Sequence, residues 1–155
     1  LFYGYIAVDL PLLISNLAGV ERRDWLAHRG PLAAEVIRRL IHLVATVSPG
    51  AKLGSTAPHA YANFVMVEKS AEQPRTLANA FLAPVRPTKG EDLVKRVYTQ
   101  LGGHLTELDQ MYASVSERRF AAIGDFGALA PALVGEQRTS LPDLSVWAAA
   151  TVRGE

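Results

Sequence analysis

The chain has 155 residues, 49% of them apolar and 20% charged, with a net charge of +1 and no cysteine. That size and mix fit one globular domain and exclude a disulfide framework, thiolate metal sites, and a disordered or collagen-like polymer.

Phe2–Val8 alternates aromatic or branched residues with small ones and reads as a strand buried on at least one face. At least two of Phe2, Tyr3 and Tyr5 are expected in the core rather than stacked on bases. Asp9 is placed to cap a short helix with Pro11 in its first turn and Leu12, Leu13, Ile14 and Leu17 inward, and Gly19 is placed to end it. Asp9, Pro11 and Gly19 also rule out a membrane span over the apolar front, and no basic stretch precedes it as in a signal peptide. The chain opens on Leu1, inside a strand-like pattern, and is expected to be a piece of a longer protein.

Glu21–Gly30 reads as a charged loop. Pro31–Val47 is the strongest helix, with Leu32, Val36, Leu40, Leu43, Val44 and Val47 as the inward stripe, widened by Ile37 and Ile41. Glu35 precedes Arg39 by four residues, the favourable order for an ion pair. Ala51–Ala60 is a loop, and Tyr61–Glu68 a strand whose four central apolar residues suggest burial on both faces. Leu77–Val85 fits a strand or a short helix. Glu91–Tyr112 is a second long helix, packed through Val94, Val97, Leu101, Leu105, Leu108 and Tyr112, with Gly102 and Gly103 marking a kink or close contact. A short strand over Ala121–Asp125 follows. Ser140 caps a last helix with Leu144, Trp147 and Ala148 inward. The order is α+β, about half of a ferredoxin-like sandwich with added helices, in a single domain over residues 1–155.

Charge is unevenly spread. Residues 49–90 carry five basic and two acidic side chains, and residues 91–155 six basic and nine acidic. The basic stretch holds two loops of interest. Gly50-Ala-Lys52-Leu-Gly54-Ser55-Thr56 combines glycines, a lysine and two hydroxyls, which suits a phosphate without forming a Walker motif. Pro84-Val-Arg86-Pro-Thr-Lys89 is a proline-stiffened basic loop.

Three segments, VSPGAK (Val47–Lys52), NFVMVE (Asn63–Glu68) and LANAF (Leu77–Phe81), carry a resemblance that their order and spacing make specific. FYGYIAVDLPLLISNL near the front and LPDLSVWAAATVR near the end support it. Together they resemble the Cas-seven family, also called CasC, the backbone subunit of the type I-E CRISPR surveillance complex Cascade. The resemblance implies a ferredoxin-like (RNA-recognition-motif-like) palm whose other strands lie in an amino-terminal part absent here. It implies a non-catalytic subunit that holds CRISPR RNA by its phosphates, leaving the bases to pair with target DNA. Partners would be other Cascade subunits and further copies of itself, added head-to-tail. The setting would be cytoplasmic, with no membrane and no cofactor. Lys52, Arg86 and Lys89 are the expected RNA-binding residues, with Ser55 and Thr56 as weaker hydroxyl contributors; Lys89 matches the family position only with a one-residue offset.

Two other readings stand beside it. A ferredoxin-like endoribonuclease would use His59 as base with Tyr61 or Lys52 assisting, but no convergent acid–base pair is visible. A plain α+β oligomerisation module would bind no nucleic acid. His28, His42, His59 and His104 show no metal-ligand spacing, and His42 reads as solvated. Glu91 and Asp92 suit a helix amino terminus better than paired-carboxylate catalysis.

Overall fold

The structure, a computed structural model, describes residues 3–47, 61–86, 90, 92–113, 116–133 and 137–154. In chain order come helices α1 (Leu10–Ala18) and α2 (Pro31–Thr46), strand β1 (Phe64–Lys69), helix α3 (Leu93–Tyr112), strands β2 (Glu117–Ala122) and β3 (Gln137–Arg138), and helix α4 (Leu141–Arg153). Each α-helix but α2 has a side-chain cap. Asp9 accepts from the Leu12 N–H, Asp92 from Val94, and Ser140 from Asp143. Gly19 and Gly154 adopt left-handed conformations at φ 67° and 84° to close α1 and α4, which costs glycine nothing.

The sheet runs β1-β2-β3. β1 and β2 are antiparallel, with Phe64 opposite Ala122 and Lys69 opposite Glu117, and β3 joins β2 in parallel. Side-chain alternation sends Phe64, Met66 and Phe120 to one face, beneath Tyr98, Leu101 and Leu105 of α3. Val65, Val67 and Ala121 point the other way, against a core of Ile14, Ala34, Ile37, Leu144 and Trp147 from α1, α2 and α4. Ile14, Leu105 and Leu144 are at most 1% exposed, and each such burial contributes about 1.5–3 kcal/mol. The result is an α+β body with a small sheet between two helical layers.

Several elements differ from expectation. Residues 3–9 belong to no strand, and Tyr3 and Tyr5 are 41% and 44% exposed rather than in the core; Phe2 lies outside the described residues. Arg22–His28 forms a 3₁₀ helix where a loop was expected, and Ala78–Phe81 a second, short one. β1 starts three residues later than predicted, and β2 occupies Glu117–Ala122 rather than Ala121–Asp125. In α1, Leu12 and Leu17 are exposed and only Ile14 and Ser15 are buried. The inward face of α2 is Ala33, Ala34, Ile37 and Ala45. Leu32, Leu43, Val44 and Val47, assigned to the core from the sequence, face solvent.

Candidate nucleic-acid interface

Most basic side chains near the sheet are already engaged. On the α3 face, Arg118 of β2 is 6% exposed. Its Nε donates to Glu68 at 2.6 Å, and its two terminal nitrogens donate to both Asp109 oxygens at 2.6 Å. Arg75 adds a second fork, to Glu68 at 3.1 and 3.0 Å and to Asp109 at 2.6 Å. Burial raises the pKa of Glu68 and of Asp109, but the hydrogen bonds and charge of Arg75 and Arg118 outweigh it and hold both carboxyls below their usual range. This four-residue cluster ties β1, β2, α3 and the segment after β1 together.

On the other face, Lys69 pairs with Glu117 at 2.8 Å and lies 4.1 Å from the centre of the Trp147 ring, with Arg119 at 4.8 Å. The Trp147 indole N–H donates to Glu117 at 3.3 Å. So Lys69 and Arg75, two of the five basic residues in the positive middle segment, bind acidic residues of the negative tail. Part of the charge segregation in the sequence is internal pairing.

Of the predicted RNA-binding residues, Arg86 is described and exposed. Lys52, Ser55, Thr56 and Lys89 lie outside the described residues, as does His59. The segment leading to Arg86 is anchored on α3. Leu77 and Ala80 are buried, and the Gln100 side chain donates to the carbonyls of Ala80 and, at 3.3 Å, Ala83. The Leu77 N–H donates to the Tyr3 hydroxyl at 3.0 Å, and the Tyr3 and Phe81 rings meet at 5.7 Å. The LANAF segment is therefore a packing knot that holds Arg86 at the surface.

Both faces of the sheet are covered by helices, so bases cannot stack across it as on an open RNA-recognition sheet. A groove of about 220 Å³ opens instead where α2 ends and β1 begins, lined among others by Thr46, Tyr61, Asn63, Ala121 and Thr139. The Ala62 N–H donates to the Ala45 carbonyl and the Ile123 N–H to the Asn63 carbonyl, both at 2.8 Å, which fixes this corner. Tyr61 is 67% exposed there. Sequence reasoning missed the groove and the four-residue cluster, because both need the register of β1 on β2, which joins residues some fifty positions apart. Among the described residues, no group of three or more His, Asp or Glu is arranged to hold a metal, and no helix is long and apolar enough to cross a membrane.

This α+β body is the fold of a chain solved within a "CRISPR RNA-guided surveillance complex", with a TM-score of 0.66 at 20% identity. The match covers 84% of this chain and 49% of that one, so the protein spans about half the length of the solved chain. No curated protein matches it. The CT1975-like protein family matches residues 1–147, and the chain belongs to that family, a Cas-seven-like one.

Proposed function

We infer that the protein is part of a non-catalytic backbone subunit that holds CRISPR RNA in a surveillance complex, of type I-E and CasC kind. Membership of a Cas-seven-like family carries this reading, and the fold shared with a chain of an RNA-guided complex supports it. In this reading the 155 residues form a single domain, the carboxy-terminal part of a longer subunit that adds head-to-tail to further copies and meets target DNA through the guide. The grip falls on phosphates, through Arg86 beside the α3 knot and through Lys52, Ser55, Thr56 and Lys89 of the same basic stretch of sequence. Such contacts position RNA without reading its sequence.

The test is a fluorescence-anisotropy titration with single-stranded RNAs of unrelated sequence at several salt concentrations. Arg86→Ala is expected to weaken binding alike for all sequences and to lower the salt slope by about 0.7, the share of one phosphate on a single strand. A loss confined to one sequence, or none at all, would remove Arg86 from the interface.

A further inference from the structure

We propose that the groove at the junction of α2 and β1 takes one unpaired nucleobase, with the Tyr61 ring as its stacking platform. This rests on the RNA-binding reading above and adds a base contact to a phosphate grip. Among the described residues, none of those lining the groove carries a charge, so it lacks the cationic side chains that dominate a phosphate grip. Its volume of about 220 Å³ falls below the roughly 300–1,000 Å³ of clefts for drug-sized ligands and suits a single planar ring system. Ala45, 5% exposed, and Ala121 give it a small-residue apolar floor.

The rim supplies what a base requires. Tyr61 is 67% exposed, and its ring is in contact with no described aromatic side chain. Among the described residues, no aromatic ring occupies its π-face, as a stacking platform requires. Beside it, the exposed Asn63 amide offers both donors and an acceptor, so it can answer the edge of more than one base. The Thr46 hydroxyl donates to the His42 carbonyl at 2.8 Å and keeps its lone pairs as acceptors. Thr139, on the far side, adds another hydroxyl. An aromatic plate, an amide and hydroxyls around an apolar floor without charge match a neutral heterocycle with polar edges. Because stacking dominates, the site is expected to tolerate any base.

The experiment compares an unstructured single-stranded RNA with an oligomer of the same length carrying abasic sites. Tyr61→Ala is expected to weaken the natural RNA about tenfold and to leave the abasic oligomer unchanged, while Tyr61→Phe, which keeps the ring, binds like the parent. Equal losses on both oligomers, or none on either, would overturn the base site while leaving the phosphate grip intact. Adenosine alone, followed by amide chemical shifts, separates the two ideas. Shifts clustered at Thr46, Tyr61, Asn63 and Thr139 support the groove even if RNA does not bind and the backbone-subunit reading falls. Shifts elsewhere, or no shifts, overturn it.

Discussion

Arg118 is the side chain on which the α3 side of the sheet depends. It is 6% exposed and meets two carboxylates that are themselves 22% and 27% exposed. Truncating it leaves Glu68 and Asp109 with Arg75 as their remaining partner in the cluster. Removing one partner of a buried ion pair costs about 3–5 kcal/mol, so Arg118→Ala is expected to lose that order of stability in urea unfolding. Arg118→Lys recovers only part of it, since a single ammonium cannot fork to both carboxylates. The cluster also sets an acid limit. Glu68 and Asp109 titrate lower in the folded protein than at their ordinary values of 4.5 and 3.8. A depressed carboxyl adds stability that is fully present above its unfolded pKa and disappears as pH falls through its folded pKa. Stability should therefore hold steady down to about pH 5 and decline below it, and Arg118→Ala should flatten that decline. A series of urea midpoints against pH measures both effects. Glu35, held at about 2 by hydrogen bonds from Arg38 and then Arg39, lies on the surface of α2 in solvent-screened pairs, so it adds little to this dependence.

At the scale of an element, α2 shows why the sequence named the wrong inward face. Its apolar residues cover more than half of the helix circumference, far wider than the stripe of about 100° that one-sided packing requires. The large residues Leu32, Val36, Leu40, Leu43 and Val47 form a stripe at three- and four-residue spacing, and periodicity reasoning favours them. The neighbouring stripe of Ala33, Ile37, Ile41 and Ala45 is the one that packs, because small side chains let α2 approach α4 closely. Ala34→Leu, at a site with 0% exposure, is expected to cost about 1–3 kcal/mol by overpacking. Leu43→Gln, at 51% exposure, should stay within about 0.5 kcal/mol; thermal unfolding of the two variants compares the faces directly. In α3 the paired glycines separate in the same way. A Cβ on Gly102 would meet Leu129 Cδ1 at 3.2 Å and Leu129 Cα at 3.3 Å, whereas one on Gly103 meets nothing within 4 Å. Gly103→Ala should gain close to 1 kcal/mol, and Gly102→Ala should not. The close-contact reading of this pair from sequence thus holds for Gly102. Helices whose amino-terminal caps are explicit in the sequence, α3 and α4, were legible in their starts to within two residues and in most of the inward residues named for them. Two residues of α3 differ: Tyr112 is exposed, and Tyr98, absent from the expected inward stripe, is 5% exposed.

Over the whole molecule, two of the strand assignments failed in what they implied about pairing. Phe2–Val8 has a strand-like pattern, yet its described residues are unpaired. Phe64–Val67 reads as a central strand, yet among the described residues β1 is an edge of the sheet. Local pattern records how much apolar surface a strand must cover, while pairing depends on which other segments are within reach, and only the first of these is written in a short window of sequence. The site was legible to a similar degree. The exposure of Arg86 followed from the prolines that flank it in a loop, but the groove beside Tyr61 exists only once β2 has been laid against β1. The edge position has a measurable consequence. The Ile123 N–H donates to the Asn63 carbonyl, and Asn63 and Ile123 continue the register that sets Phe64 against Ala122. In an antiparallel ladder such hydrogen-bonded pairs alternate with non-bonded ones. Val65, Val67 and Lys69 therefore direct their backbone groups at β2, and Phe64, Met66 and Glu68 direct theirs away from the sheet. Among the described residues, nothing hydrogen-bonds these outward groups. In native-state hydrogen exchange followed by NMR, the Val65 and Val67 amides should be protected close to the level of global unfolding, while those of Met66 and Glu68 exchange orders of magnitude faster. If the chain is instead read within a longer subunit whose further strand pairs with β1, the same two amides become protected there, and the contrast between neighbours disappears. Uniform protection along β1 in the 155-residue protein itself would contradict the edge assignment.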